Sequence, residues 1–132
     1  MTLRAAVMGV GHYLPDRIVP NSEFEKIVET SDEWIRARSG IERRHFAAEG
    51  QLTSDLAARA AQAAMADAGV TADQIDAIIV ATSTPDLTFP SVATMVQAQL
   101  GVTKGFAFDV QAVCAGFVFA LTNANALILA GQ

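Results

Sequence analysis

The sequence is poor in charged residues, in basic residues and in cysteine, and each shortage excludes a class of protein. Only 17% of its 132 residues are charged and 52% are hydrophobic, which excludes a disordered segment. Nine Lys and Arg stand against 14 Asp and Glu, so we expect no nucleic-acid partner. A single cysteine, Cys114, cannot form an internal disulfide or a cysteine-based zinc site, and this fits the reducing cytoplasm.

The sequence also lacks segments that would direct it into a membrane. We expect no signal peptide, because the N-terminus passes directly into an apolar, strand-like segment. The longest apolar stretch, 112–130, is interrupted by Thr122, Asn123 and Asn125, which excludes a transmembrane helix. The chain has the length of one domain, and we expect no membrane partner.

Predicted strands and helices alternate along the chain. Continuous apolar runs predict buried strands at 5–10, 76–83 and 105–110, and residues 41–47 form an extended, mostly polar segment. Two capping-box patterns, at 22–25 and 30–33, predict helices that run to about 29 and to Gly40. Further helices are predicted from Thr53 or Ser54 to Gly69, from Pro90-Ser91 to Gly101, and over 114–130. This order predicts an α/β layered fold with a partly parallel sheet.

The last predicted helix, 114–130, is apolar almost all round. Such a helix belongs in the interior of a larger protein, covered on every side. The mean hydropathy of +0.32 is also high for so short a chain. We therefore expect residues 1–132 to be the front part of a longer protein. We expect these residues by themselves to be unstable and to be inactive.

Cys114 is the strongest candidate for a catalytic residue. It follows a predicted strand by a short turn and begins the apolar helix, where unpaired amide N–H groups and the helix dipole stabilise a thiolate. A strand, a tight turn and a residue at a helix N-terminus form a common nucleophile arrangement. The alternative is a small core residue, since free cysteine is among the most often buried residue types.

Other motifs are weaker. His12 and His45 have no spacing that ties them to Cys114 or to a metal site, and we interpret both as surface or structural histidines. Gly9-Val10-Gly11 follows a predicted strand, but position 14 is Leu, so a plain turn is favoured over a dinucleotide-binding loop.

Basic residues cluster around the only tryptophan. Trp34 stands beside four arginines within nine positions: Arg36, Arg38, Arg43 and Arg44. An aromatic ring next to guanidinium groups suits a ligand that has both a base and phosphates. The alternative is a solvated charged face with Trp34 packed beneath it.

Together these segments resemble the β-ketoacyl-acyl carrier protein synthase III family, within the thiolase-like condensing enzymes. The resemblance covers nearly the whole chain, corresponds to roughly the first two-fifths of a family member, and is most specific in the segments T-S-D-E-W-I and C-A-G-F. The matching segments, in family order, are 11–15, 30–35, 38–41, 43–45, 81–86, 89–91 and 108–117.

The resemblance implies a thiolase-like αβαβα layered fold, of which residues 1–132 are the N-terminal part, in a homodimer whose subunits pair through the strand at 105–110. Cys114 matches the acyl-accepting nucleophile, and its backbone N–H one oxyanion donor. Trp34, Arg38 and Thr30 match the contacts to the nucleotide end of coenzyme A. Phe89 matches a residue that closes the acyl pocket across the dimer. The family's catalytic histidine and asparagine lie in the half that is absent here.

The resemblance also implies the reaction. A short acyl-CoA, with acetyl-CoA as the expected donor, acylates Cys114, and malonyl-acyl carrier protein then condenses with the acyl group after losing CO₂. No metal or bound cofactor is implied, and the location is the cytoplasm. Two alternatives remain open: a related condensing enzyme of secondary metabolism that uses another acyl-CoA, and a non-catalytic half-chain that only pairs with a partner subunit.

Overall fold

The computed structural model describes residues 4–132, and these form two compact units. The smaller unit comprises 14–51 and the larger one comprises 4–13 with 52–132. The smaller unit contains β1 (Arg17–Pro20), α1 (Asn21–Phe24), α2 (Asp32–Ser39) and β2 (Arg43–Phe46). The larger unit contains α3 (Thr53–Ala68), β3 (Ala77–Ala81), α4 (Val92–Leu100), β4 (Phe106–Val110) and α5 (Gly116–Leu129).

The larger unit is built on a parallel strand pair. β3 and β4 pair in parallel, with Ile79 opposite Phe108, and α4 connects them while packing against both strands and against α3. A crossover helix is the usual way to join parallel strands. The buried core is small and centres on Ala58, Val92 and Val96. The predicted α/β organisation with a parallel sheet is thus confirmed.

A carboxylate from β4 holds the N-terminus of α4. Asp109 Oδ2 accepts a hydrogen bond from the Val92 N–H at 2.9 Å, and Oδ1 accepts one from the Ala93 N–H at 2.8 Å. Both amides belong to residues that are 0% exposed, so water cannot replace the carboxylate. Asp86 serves α3 in the same way, since its carboxylate accepts from the Ser54 N–H at 3.0 Å. The first turns of α3 and α4 are therefore both held by a carboxylate that is distant in sequence.

Gly9-Val10-Gly11 is neither a turn nor a dinucleotide-binding loop. A Cβ at Gly11 would lie 2.2 Å from Ala64 N, and one at Gly9 would lie 2.6 Å from Ala68 N. The Val10 N–H donates to Asp67 Oδ2 at 2.9 Å. The segment is thus pressed against the alanine-rich face of α3, where only glycine leaves room for the backbone.

The predicted strand at 5–10 is wrong. Residues 4–14 contain no strand, and Val7, Met8 and Val10 are between 71% and 77% exposed. A strand needs a hydrogen-bonding neighbour, whereas here the Val10 N–H is taken by a carboxylate of α3.

One helix end and two helix starts also differ from prediction. α1 is only one turn long and ends at Phe24 instead of about 29. The N-cap of α2 is Ser31, whose hydroxyl accepts from the Trp34 N–H at 3.1 Å, and not Thr30. α3 is capped at Leu52, where Asp55 Oδ2 accepts from the Leu52 N–H. The predicted stops at Gly40, Gly69 and Gly101 are confirmed, each glycine having φ near +70°.

Antiparallel strand pairing and an edge-to-face aromatic contact organise the smaller unit. β1 pairs with β2 through the register Arg17 with Phe46 to Pro20 with Arg43. The rings of Phe24 and Phe46 meet edge to face with centroids 6.0 Å apart, and the Arg44 guanidinium lies 4.3 Å from the centroid of Phe24. The predicted extended segment at 41–47 is therefore confirmed as β2 with its flanks.

Large apolar side chains of α5 face solvent in this structure. Phe117 is 71% exposed, Val118 60% and Phe119 51%. This agrees with the prediction that the helix needs more cover than these residues supply. No helix within residues 4–132 is both long and apolar enough to cross a membrane.

We predict that Asp109→Ala lowers the free energy of unfolding by about 1–3 kcal/mol, because two buried amides lose their only acceptor. Asp109→Asn keeps one acceptor oxygen and should lose less. Asp16→Ala removes an exposed carboxylate with no described partner and serves as the control. Urea unfolding of the purified protein measures all three, and equal midpoints for Asp109→Ala and the control would contradict this account of α4.

We also predict that Gly11→Ala destabilises the protein by about 1–3 kcal/mol, since its Cβ would collide with the backbone of α3. Gly116→Ala is the matched comparison, because its Cβ would meet only the Ala81 Cβ, at 3.2 Å. Thermal unfolding should show a larger loss for the Gly11 variant. The reverse order would mean that the segment 9–11 does not pack against α3.

Candidate functional site

Cys114 lies on a sharp turn between β4 and α5. The turn is a 3-10 segment, Val113–Ala115, and α5 itself begins only at Gly116. Cys114 is therefore close to the start of the helix, as predicted, but does not form part of it. Val113 has φ +46°, a left-handed conformation that is a genuine outlier for a β-branched residue. Backbone strain of this kind clusters at functional sites.

The thiol lies on an apolar groove in the larger unit. The groove has a volume of about 880 Å³ and is formed by β3, the small-residue face of α3 and one side of α5. Its walls include Cys114, Phe117, Leu121, Ala60 and Ala64. Cys114 itself is exposed and does not belong to the buried core of the larger unit in this structure. The alanine-rich face of α3 thus forms a wall of this groove.

Phe89 is placed in the loop that joins β3 to α4. It is 87% exposed and precedes Pro90 through a cis peptide bond. It is not among the residues that line the groove beside Cys114. Its role in an acyl pocket therefore stays a prediction, and so does the pairing of β4 across a dimer. Within residues 4–132, β4 has β3 as its only strand neighbour.

A second candidate site lies on α2 in the smaller unit. The Arg38 guanidinium stands 4.8 Å from the centroid of the Trp34 ring. Both residues line a shallow recess of about 560 Å³, together with Ser31, Glu33 and Ala37. Trp34 is 56% exposed, so it is not packed beneath a charged face. The structure brings Trp34 and Arg38 together as a stacked pair, as their spacing of four along a helix predicts.

The four arginines near Trp34 do not act as one patch. Arg36 pairs with Glu42 at 3.1 Å and approaches Asp32 at 3.7 Å. Arg44 covers the ring of Phe24. Arg38 is the arginine beside Trp34, and it has no ion pair among the described residues. The cationic character of the recess therefore comes from Arg38.

Thr30 precedes the N-cap of α2, is half-buried and does not line the recess, so its contact with coenzyme A stays a prediction. Sequence reasoning did not identify Ser31 and Glu33 as residues of the recess, although both belong to the T-S-D-E-W-I segment. Ser31 could have been found as a preferred N-cap residue directly before the acidic first turn. Glu33 offered no signal of its own.

The histidines take no part in either candidate site. His45 Nδ1 contacts the Pro15 carbonyl oxygen at 2.5 Å, which is a structural hydrogen bond within the smaller unit. His12 is exposed in the larger unit. Across residues 4–132 no three His, Cys, Asp or Glu side chains come close enough together to hold a metal ion.

Comparison with curated proteins finds close relatives along the whole chain. It is 79% identical over 132 residues to a β-ketoacyl-[acyl-carrier-protein] synthase III of Cereibacter sphaeroides and 78% identical to one of Roseobacter denitrificans. The chain spans 41% of the length of these relatives. No protein-family model matches the chain.

Solved structures give the same answer for the fold. The 3-oxoacyl-[acyl-carrier-protein] synthase III of Aquifex aeolicus superposes with a TM-score of 0.89 at 44% identity, covering 94% of this chain and 40% of that one. A priming β-ketosynthase of a polyketide biosynthetic pathway has a TM-score of 0.88 at 32% identity, covering 96% and 39%. The resemblance to β-ketoacyl-acyl carrier protein synthase III is confirmed over these residues, and the fold is part of the thiolase-like α/β fold.

Proposed function

From this similarity to β-ketoacyl-acyl carrier protein synthase III we propose that the protein is a condensing enzyme that begins fatty acid synthesis. It would join a short acyl group, taken from acyl-CoA and most simply acetyl, to malonyl-acyl carrier protein. The observation that carries the proposal is the position of Cys114. It is an exposed thiol on a strained turn at an apolar groove, in a chain 79% identical along its length to enzymes of that name.

In the first step Cys114 Sγ, as the thiolate, attacks the carbonyl carbon of the acyl-CoA thioester. The tetrahedral intermediate collapses, the C–S bond to coenzyme A breaks, and the coenzyme A thiolate leaves and takes up a proton. In the proposal the backbone N–H of Cys114 is one of the donors to the developing oxyanion. The apolar walls of the groove would keep water away from the acyl-cysteine, which is itself a hydrolysable thioester.

In the second step malonyl-acyl carrier protein loses CO₂, and the electron pair of the broken C–C bond forms a carbanion. The carbanion attacks the acyl-cysteine carbonyl, and the Cys114 thiolate leaves to give a 3-ketoacyl product. In the family a histidine and an asparagine assist decarboxylation. We propose that the corresponding groups are supplied by residues other than 1–132. The proposal includes no metal and no bound redox cofactor.

The recess on α2 would hold the nucleotide end of coenzyme A. More than half of the Trp34 surface remains exposed for stacking with adenine, while Arg38 supplies a cation for the phosphates. Thr30 is included as a contact on the strength of the resemblance. Glu33 in the same recess would repel phosphate, so we place the phosphates on the Arg38 side.

The proposed assembly is a cytoplasmic homodimer in which β4 pairs with its mate and Phe89 reaches the acyl pocket of the partner subunit. A phenylalanine that is 87% exposed is suited to burial in another chain. Phe106 and Phe108 stack with centroids 6.2 Å apart on β4, and pairing would protect this edge from aggregation.

A second candidate function is supported by the polyketide priming β-ketosynthase, whose structure matches closely. That enzyme is 32% identical, against 79% for the synthase III relatives, which favours the first function. Both candidates acylate Cys114 and differ in the acyl group. A non-catalytic half-chain, the remaining alternative, would need no reactive thiol.

We predict that incubation with acetyl-CoA adds one acetyl group to the complete protein, on the peptide that contains Cys114. Cys114→Ser and Cys114→Ala should abolish this transfer, because the thiolate is the nucleophile. Intact mass and peptide mapping measure it, with a panel of longer acyl-CoAs to separate the two enzyme candidates. An acetylated Cys114→Ala protein would refute the assignment, and an unmodified wild type would favour the non-catalytic alternative.

We further predict that Trp34→Ala weakens coenzyme A binding by about 1–3 kcal/mol, since an aromatic stack and the support of Arg38 are lost. Trp34→Phe keeps a ring and should lose less. Ile27→Ala is the control, as this apolar residue of the same unit is 74% exposed. Calorimetric titration measures the dissociation constants, and an unchanged value for Trp34→Ala would remove Trp34 from the binding site.

A further inference from the structure

Asn21, the first residue of α1, is a buried polar side chain that neither proposed site uses. It is 1% exposed. Its Nδ2 donates to Asp32 Oδ1 at 2.8 Å and to the Ile41 carbonyl oxygen at 2.7 Å, and its backbone N–H donates to the Glu42 carbonyl oxygen at 3.2 Å. Buried hydrogen bonds of this kind fix position because losing a partner leaves an unsatisfied group.

These bonds connect Asn21 to both ends of α2. Asp32 is the first residue of that helix, and Ile41 follows Gly40, its C-cap. No α2 residue is fully buried, and its half-buried apolar residue is Ile35, so apolar packing contributes little to the position of this helix. Its other polar contacts include the exposed ion pairs of Arg36, which contribute little. The Asn21 amide is therefore the buried link that places α2.

The orientation of that amide is determined by its surroundings. Asp32 Oδ1 and the Ile41 carbonyl are both acceptors, so only the Nδ2 side can face them. Within the described residues Asn21 Oδ1 has no hydrogen-bond partner. A flipped amide would put oxygen against two oxygens and lose both bonds.

We propose that Asn21 is a positioning residue for the nucleotide recess, holding α2 so that Trp34 and Arg38 present a preformed surface to coenzyme A. This inference rests on the proposed function. It follows from the contacts of Asn21 with the two ends of the helix that carries both recess residues. Asn21 itself touches no substrate. Its loss should weaken recognition of the nucleotide and leave the chemistry at Cys114 unchanged.

The test compares two acyl donors in the complete protein. Acetyl-CoA carries the nucleotide, whereas the acetyl thioester of N-acetylcysteamine lacks it. We expect Asn21→Ala to raise KM for acetyl-CoA about three- to tenfold, with kcat unchanged. Both constants for the truncated thioester should stay at wild-type values. Ser22→Ala, an exposed neighbour on α1, is the control.

Exchanging the donor and the acceptor between Asn21 and Asp32 tests the hydrogen bond itself, because a mere loss of packing would not be recovered by the exchange. Asn21→Asp places a carboxylate against Asp32 and Ile41 and should raise KM for acetyl-CoA more than Asn21→Ala. Adding Asp32→Asn restores a donor facing an acceptor and should recover part of the loss. Should the Asn21 variants fail to fold, Asp32→Ala removes the same bond from a side chain that is 47% exposed.

The outcomes separate the inference from the proposed function. A KM for acetyl-CoA that stays unchanged in Asn21→Ala and in Asp32→Ala would overturn the inference. So would an equal loss with both donors, since that indicates a general structural defect. If the wild type prefers acetyl-CoA no more than the truncated thioester, the nucleotide recess of the proposed function fails as well. A loss confined to acetyl-CoA, with recovery in the exchanged pair, supports the inference.

Discussion

The larger unit depends on the carboxylate of Asp109. Its two oxygens take the N–H groups of Val92 and Ala93, at the start of the helix that supplies most of the core. Because those residues are fully buried, no solvent molecule can take over either bond. Asp109 also stands one residue before β4 ends, and the chain then turns into the segment that carries Cys114. One interaction thus fixes the core helix and the strand that leads into the turn carrying Cys114.

Elements with local signals could be predicted from the sequence. Ser91 caps α4 and Gly101 ends it, as the residue types alone indicate. The apolar runs around β3 and β4 predict strands because such a run suits a strand contacted by helices, and both strands are found. At the sites, Trp34 and Arg38 meet because residues four apart share one face of a helix. In each case the residues that indicate the feature lie within a few positions of it in the sequence.

Features set by distant residues could not be predicted. Residues 5–10 have the composition of a strand, but a strand exists only beside a partner, and the Val10 N–H bonds to Asp67 instead. Gly9 and Gly11 are needed because α3 packs closely against them. That contact joins distant parts of the chain, since Val10 and Asp67 are 57 residues apart in sequence. The left-handed conformation of Val113 contradicts the preference of its residue type, so the sequence gives no local signal for it.

Both candidate sites contain an exposed side chain of a type that is usually buried. Free cysteine usually fills a core and tryptophan usually buries a large surface, yet Cys114 is exposed and Trp34 is 56% exposed on a helix with no buried residue. Within residues 4–132 neither side chain belongs to the buried core. A thiol on an apolar groove suits an acyl thioester, and a ring stacked with a guanidinium suits an aromatic, anionic group. An acyl-CoA contains both groups, which is why we propose one class of ligand for both exposed residues.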